Sequence, residues 1–353
     1  MTAKPSAALI DELGSARVVL VVGSGGVGKT TVAAALGAAA ARDGRRVLVV
    51  TVDPARRLAD ALGVPLGHEP ARVKLDTAGG GALWASMVEM ARTWDELVVR
   101  HAPNRAAADD LLANPLYHTL TRRFVQSHDY IALDRLHDLT DSDQYDLVVI
   151  DTPPSVHAID VLDAPDRMLD FFDSWLLRWL TAPYRSRMAQ LTARPFLAAA
   201  ERVVGGPFLA QVGEFFWRFS QLQPGVAKRA RAVKQRLNDP STRYLLITTA
   251  DAGALAQADD LLGALGERHH PVAAVVHNRA VPGAGSVGTD ELPVETVAEP
   301  ELRVAMEDLL VDDHRPAELV ARQPSPAPAL VRLPWRPDLA TPDDLADLLT
   351  GAS

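Results

Sequence analysis

Short apolar runs recur along the chain and are separated by longer segments of helical pattern. The runs are continuous rather than alternating, which is typical of parallel strands whose two faces are both covered by helices. The pattern therefore predicts an α/β fold with one mostly parallel sheet flanked by helices. Seven strands are predicted, at residues 17–22, 46–52, 82–87, 146–150, 243–249, 271–276 and 329–333.

The strand-like runs disappear between residues 166 and 240, where helix-length apolar segments are broken by proline and glycine. We expect an α-helical insertion subdomain over 166–240. It divides a core domain into a first part, 1–165, and a second part, 241–353. A further helical stretch is expected over 93–140, within the first part of the core.

Aromatic side chains concentrate in this insertion. Seven of the eight phenylalanines and three of the six tryptophans lie between residues 171 and 219. A helical core, a subunit interface or a groove for a hydrophobic protein client at 166–225 would each explain this cluster. Four apolar residues in segment 170–180 follow the spacing of a single helical stripe: Phe172, Trp175, Leu176 and Trp179.

Composition excludes several classes of function. The 353 residues include no cysteine, so a thiolate nucleophile, a disulfide and a cysteine-ligated metal are ruled out. The formal net charge of −9 gives no general attraction to nucleic acid, and we interpret the basic run 228–236 as a solvated helix face. The chain has no run of about 18 apolar residues and no export signal. We therefore expect a cytoplasmic protein without a stable membrane span.

One glycine-rich segment carries the strongest chemical signal. Residues 23–31, GSGGVGKTT, complete the pattern G-x-x-x-x-G-K-[ST] between a predicted strand and an Ala-rich predicted helix. This context predicts a P-loop, whose backbone N–H groups hold phosphates with Mg²⁺. Lys29 can reach the β- and γ-phosphates, and the Thr30 hydroxyl can hold Mg²⁺. The predicted loop consists of Gly23, Ser24, Gly25, Gly26, Val27, Gly28, Lys29, Thr30 and Thr31.

Two aspartates follow predicted strands, at the ends where α/β sheets bind ligands. Asp53 is a candidate for orienting or deprotonating a water and for contacting Mg²⁺. An alternative role for Asp53 is a helix N-cap preceding Pro54. Asp151 is expected to bind Mg²⁺ through water and to begin a loop that senses the γ-phosphate. The alternative for Asp151 is a strand-terminating turn.

A third residue, Asn278, follows another predicted strand. Its amide is placed to hydrogen-bond a purine edge, and a turn asparagine is the alternative. Arg279-Ala280-Val281 comes next, in place of the N-K-x-D pattern of GTPases, so the sequence favours ATP over GTP. A P-loop kinase that phosphorylates a small acceptor is a less favoured alternative.

The chain contains GSGGVGKTT at 23–31, TVDPARRLADALG at 51–63 and VVIDTPPSVHAIDVLDAPDR at 148–167. Together these segments resemble the ArsA-like ATPases, the family of arsenite-pump ATPases and tail-anchored-protein targeting factors in the deviant P-loop class with MinD. The resemblance implies a P-loop NTPase fold and Mg-ATP hydrolysis in a nucleotide-sandwich dimer. It implies Asp53 as the catalytic carboxylate of the first switch, Asp151 at the start of the second, and adenine held near Asn278 and by backbone around Pro334.

Ser24 departs from the signature of that family, K-G-G-x-G-K-[ST], whose first lysine reaches the partner's phosphates. A cation supplied in trans to a transferring phosphoryl group is worth about 10³–10⁵ in rate, and a serine hydroxyl cannot supply it. The resemblance therefore implies slow hydrolysis by a homodimer and favours a heterodimer with a lysine-bearing relative. A slow or non-hydrolysing ATP-dependent scaffold or chaperone is the alternative. The lack of cysteine also removes the thiolates that would bind arsenite.

Overall fold

The computed structural model places two compact units along the chain. The sheet unit comprises the described residues of Met1–Val88, Asp138–Ile159 and Leu237–Ser353, and the helical unit those of Glu89–His137 and Asp160–Arg236. The structure describes residues 8–53, 55–77, 80–123, 128–153, 162–185, 206–281, 312–324, 326–336, 339 and 341–350.

The sheet unit is built on eight strands in the order β3-β4-β2-β5-β1-β6-β7-β8. Every neighbouring pair is parallel except β3 with β4. The predicted α/β fold with a mostly parallel sheet is therefore confirmed. The strands are β1 Val18–Gly23, β2 Arg46–Thr51, β3 Ala71–Val73, β4 Ala82–Met87, β5 Leu147–Asp151, β6 Thr242–Thr248, β7 Val272–Ala280 and β8 Ala329–Pro334.

Helices flank this sheet and form the second unit. Residues 312–321 are also helical, and His128–Asp141 contributes residues to both units. Helices of the sheet unit are Ala8–Glu12, Lys29–Arg42, Arg57–Leu62, Ala252–Glu267 and Pro342–Thr350. Those of the helical unit are Met90–His101, Arg105–Leu112, Pro115–Arg123, Ala164–Asp173, Trp175–Arg185, Gly206–Ser220 and Gln223–Leu237. The last residue of the last helix, Leu237, is assigned to the sheet unit.

The helix Lys29–Arg42, here called the loop helix, is buried along most of its length. Its alanines let the sheet pack on one side and the helix Pro342–Thr350 on another. Arg42 at its C-terminal end pairs with Asp343 at 2.6 Å and with Asp347 at 2.5 Å. Because the loop helix is enclosed in this way, its N-terminus is held in a fixed position at the end of β1.

Gly37 marks a close approach of the loop helix to the sheet. A Cβ at Gly37 would lie 2.3 Å from Val49 Cγ2. We predict that Gly37→Ala lowers the free energy of unfolding by about 1–3 kcal/mol, because the added methyl group overpacks this contact. Gly263, in another helix, has open space around its Cβ position. Gly263→Ala is the matched control and should raise the free energy by up to about 1 kcal/mol. Equal effects in urea unfolding would contradict this packing argument.

The helical unit has an aromatic core of its own. Phe172 and Phe219 stack with ring centroids 5.6 Å apart, and Phe215 and Trp94 pack on Phe219. All four side chains are buried. Part of the aromatic cluster found in the sequence is therefore the core of this unit.

A buried ion pair corrects the interpretation of 228–236 as a purely solvated face. Asp134 is 1% exposed and pairs with Arg229 at 2.9 Å and with Arg100 at 3.2 Å. Arg229 thus faces the interior of the helical unit. Lys228 and Arg231, from the same run, are exposed.

The prediction of a single apolar helical stripe over 170–180 is wrong, because the helix breaks at Ser174. Ser174 is extended, with ψ 144°, and closes the helix Ala164–Asp173. Its hydroxyl then accepts a hydrogen bond from Leu177 N at 3.3 Å, which caps the next helix. The break separates Phe172, which is buried, from Trp175, which is 73% exposed.

Candidate nucleotide-binding site

The predicted site residues of the sheet unit lie at the carboxyl ends of neighbouring strands. β1 runs between β5 and β6, and Asp151 at the end of β5 is in register with Val21 of β1 and with Thr51 of β2. The glycine-rich loop leaves β1 beside these ends. The sheet order therefore brings together residues that are 100 or more positions apart in the chain.

The loop has the backbone conformation that its glycines allow. Gly26 and Gly28 have φ of 80° and 94°, in the left-handed region, and Gly28 is the N-cap of the loop helix. The N-terminal N–H groups of this helix are thus presented to the loop. This geometry is suited to an anion.

Lys29 is buried and folds back over the loop. Its Nζ donates hydrogen bonds to the carbonyl oxygens of Gly23 at 3.0 Å and Ser24 at 2.8 Å. Burial lowers the pKa of Lys29, and the carboxylates of Asp151 and Asp53 oppose this effect. A buried ammonium group of this kind would be stabilised by a phosphate ligand.

Asp151 is held by two hydroxyl groups. Thr30 Oγ1 and Thr51 Oγ1 donate to Asp151 Oδ2 at 2.8 Å and 2.9 Å. Burial raises the pKa of Asp151, while these hydrogen bonds and the charge of Lys29 act in the opposite direction. Oδ1 of Asp151 is buried and has no hydrogen-bond partner among the residues that the structure describes.

The hydroxyl and carboxylate oxygens of Thr30 and Asp151 are ligand atoms that suit a hard cation such as Mg²⁺. The unpaired Oδ1 of Asp151 would accept a hydrogen bond from a water of a hydrated cation. Thr30 and Asp151 therefore fit a magnesium site. Thr51 was missed in the sequence, where its only signal is a hydroxyl residue at the end of an apolar strand.

Asp53 lies just beyond the end of β2. Its Oδ1 accepts a hydrogen bond from Ala55 N at 2.9 Å, and its Oδ2 lies 3.9 Å from Arg57 Nη1. The next helix begins at Arg57 and has Arg56 as its N-cap, so the interpretation of Asp53 as that N-cap is wrong. Pro54 lies outside the described residues.

Asn278 and Pro334 lie on the other side of β1. Asn278 is inside β7, so its interpretation as a turn residue is wrong. Its Nδ2 donates to Val27 O at 2.8 Å, which brings it into contact with the glycine-rich loop. Pro334 ends β8 and pairs with Ala280 of β7. The contacts with adenine that were inferred for Asn278 and Pro334 stay predictions.

Replacing Asp151 with asparagine is expected to raise the stability of the nucleotide-free protein. Because burial raises the pKa of Asp151, its ionised form costs folding free energy once the pH exceeds the unfolded pKa, and the cost is complete above the folded pKa. Asp151→Asn avoids this cost. Its advantage in Tm over wild type should shrink as the pH falls through the folded pKa, where the carboxyl group becomes protonated. Thermal unfolding from about pH 8 to pH 4 measures this change.

The matched control for this experiment is Asp260→Asn, because Asp260 is exposed in the same unit. An advantage of Asp151→Asn that did not vary with pH would contradict the assignment of the cost to a buried charge. The same variant should also lose most of the magnesium dependence of nucleotide binding.

Within the described part of the chain, every helix is too short or too polar to cross a membrane.

The chain is similar to several known proteins over part of its length. An uncharacterized protein of Streptomyces coelicolor is 33% identical over 192 residues, which are 54% of this chain and 45% of the relative. ATPase ASNA1 homolog 1 of Paramecium tetraurelia is 27% identical over 150 residues, or 42% of this chain and 44% of the relative.

A protein of Halobacterium salinarum, provisionally named an arsenical pump-driving ATPase, is 30% identical over 185 residues, or 47% of this chain and 26% of the relative. The chain thus spans less than half the length of each of these relatives. A family model described as "Anion-transporting ATPase" matches residues 16–286, most of the chain. The chain therefore belongs to the ArsA family of anion-transporting, ATP-binding P-loop ATPases.

Proposed function

We propose that this chain binds Mg-ATP in the 23–31 loop and hydrolyses it at a dimer interface, and that hydrolysis is coupled to a rearrangement of the helical unit. The arrangement that carries this proposal is the group formed by buried Lys29, half-buried Thr30 and buried Asp151. It combines an ammonium group, a hydroxyl group and a carboxylate. All three lie at the N-terminal end of a helix whose N–H groups face the loop. Together these groups match a triphosphate with its magnesium ion.

Each residue has a role in this proposal. Mg²⁺, when bound, neutralises charge on the phosphate oxygens. Thr30 would hold it through its hydroxyl, and Asp151 and Asp53 would contact it through water. Lys29 would exchange its hydrogen bonds to the Gly23 and Ser24 carbonyls for bonds to phosphate oxygens.

Asp53 is proposed as the carboxylate that orients the attacking water and accepts its proton. Oδ1 of Asp53 is fixed by the backbone of Ala55, which leaves Oδ2 as the acceptor oxygen. Nη1 of Arg57 lies 3.9 Å from Oδ2, at the outer limit of an ion pair. A carboxylate held in this way is able to take a proton from water.

Ser24 determines the proposed mode of assembly. The chain lacks a lysine at this position, so it cannot place a cation on the phosphates of a second subunit. We propose a heterodimer with a lysine-bearing relative, in which the site of this chain receives the cation. A homodimer would hydrolyse ATP slowly.

A slow ATP-dependent scaffold or chaperone is the second candidate, and the serine at position 24 favours it. Its hydrophobic protein client would bind within 166–225. Phe172, Phe215 and Phe219 are buried in the helical core and are not available to a client, whereas Trp175 is exposed. Phe196 lies outside the described residues.

Calorimetry tests which nucleotide binds and whether binding needs magnesium. The chain is titrated with Mg-ATP, with ATP plus a chelator, and with Mg-GTP. We expect binding of Mg-ATP and weaker binding of the other two. ATP turnover of the chain alone and mixed with a lysine-bearing relative then separates the hydrolase from the scaffold. The absence of any heat on mixing with Mg-ATP would remove both candidates.

A further inference from the structure

The end of β7 contains an irregularity beside the glycine-rich loop. His277 of β7 is opposite Arg332 of β8, and Ala280 is opposite Pro334. Between these two pairs β7 has two residues where β8 has one. The extra residue on β7 makes a β-bulge. Arg279, within the bulge, has φ of 58° and an exposed side chain. Residues other than glycine seldom adopt this left-handed conformation, so the surrounding structure must hold it in place.

Asp313 holds the bulge from both sides. Its Oδ1 accepts a hydrogen bond from Val281 N at 3.0 Å and lies 3.4 Å from Nε2 of His277. The Arg332 guanidinium pairs with Oδ2 of Asp313 and donates to its carbonyl oxygen at 3.3 Å. Burial, with the charge of Arg332, lowers the pKa of His277 to about 4, so His277 is neutral at pH 7 and Arg332 is the counter-charge. Asp313 and His277 are each 1% exposed at the side chain.

Asn278 lies between these two anchored points and contacts the loop. Its Nδ2 donates to Val27 O at 2.8 Å. A Cβ at Gly28 would lie 2.2 Å from the same nitrogen, so the contact depends on the glycine. Because a trans peptide is planar, fixing the carbonyl of Val27 also fixes the Gly28 N–H, which points in the opposite direction, away from Asn278.

We propose that Asn278 is a positioning residue for the phosphate loop, held against Val27 by the Arg279 bulge that Asp313 locks. This inference rests on the proposed nucleotide site and adds a role to the purine contact predicted for Asn278. The role concerns phosphate, because the hydrogen bond orients a backbone N–H of the loop. It therefore predicts an effect on ligands that have no base.

Two substitutions at Arg279 test the proposal without removing a loop residue. Arg279→Gly retains the left-handed conformation without strain, whereas Arg279→Val disfavours it. Calorimetry would measure the binding of Mg-ATP and of inorganic tripolyphosphate with Mg²⁺. We expect Arg279→Gly to bind both ligands as wild type does. Arg279→Val should bind both about tenfold more weakly, because binding must restore the bulge.

Asn278→Ala extends the test, since it removes the hydrogen bond to Val27 and leaves the bulge intact. Asn278→Ala should weaken the binding of tripolyphosphate about tenfold and that of ATP by at least the same factor. It tests the proposal independently if Arg279→Val fails to fold. Thermal unfolding checks that each variant is folded at the temperature of the titration.

Loss of ATP affinity with unchanged tripolyphosphate affinity in Asn278→Ala would overturn the proposal, because Asn278 would then act on the base. Equal affinities of Arg279→Val and Arg279→Gly for both ligands would overturn the role of the bulge. Failure of the wild-type chain to bind Mg-ATP is a different result, which refutes the proposed nucleotide site itself.

Discussion

Replacing Lys29 with alanine is expected to lower ATP turnover by about 10²–10³-fold, the effect of removing one preorganised donor from a transferring group. The lysine is buried, and its Nζ already lies within the loop, on the carbonyl oxygens of Gly23 and Ser24. A phosphate would replace these carbonyls without a large movement of the side chain. Mg-ATP binding, measured by calorimetry, should weaken together with turnover.

Lys74→Ala is the matched control for this substitution. Lys74 is an exposed lysine of the same sheet unit, so the variant removes the same charge from the surface. We expect its ATP binding and turnover to equal those of wild type. Retention of full Mg-ATP affinity by Lys29→Ala would contradict the proposed site, and equal losses in both variants would show that net charge, and not the loop, is responsible.

Introducing a lysine at Ser24 is expected to raise the turnover of the chain on its own by about 10³-fold or more, the effect of a cation supplied in trans. In a symmetric dimer, each subunit of Ser24→Lys would carry the missing charge to its partner. Steady-state phosphate release at saturating Mg-ATP measures the change. Protein concentration should be varied, because the effect requires dimers.

Ser24→Ala controls for the loss of the hydroxyl and should turn over ATP as slowly as wild type. A lysine-bearing relative added to the wild-type chain should produce an increase of similar size to Ser24→Lys. If wild type alone already hydrolysed ATP as fast as Ser24→Lys, the requirement for a second kind of subunit would be wrong.

The sheet could be predicted from sequence because each buried parallel strand is a continuous apolar run. β1 and β5, for example, are buried at every position. β3 could not be predicted in the same way, since it has three residues and only Val73 is buried. The helix break at Ser174 was also missed, because the apolar spacing continues through it and the break depends on one hydroxyl cap.

The phosphate-binding part of the site could be predicted because it is local. The spacing of glycine, lysine and threonine in 23–31 is imposed by a ligand that binds to consecutive backbone groups. Asp313 and Arg332 could not be found in this way. They lie 35 and 54 positions after Asn278 (313 − 278 and 332 − 278) and meet the bulge only in the folded chain.

The packing of Pro342–Thr350 on the loop helix has a practical consequence for anyone who shortens the gene. A fragment trimmed to the family match, 16–286, would lose β8 and both carboxylates that pair with Arg42. The small side chains of the loop helix would then face water, and its first turn would lose the packing that holds it in position. Failure of such a fragment to bind ATP would therefore reveal a damaged scaffold and would not inform on the chemistry of the intact protein.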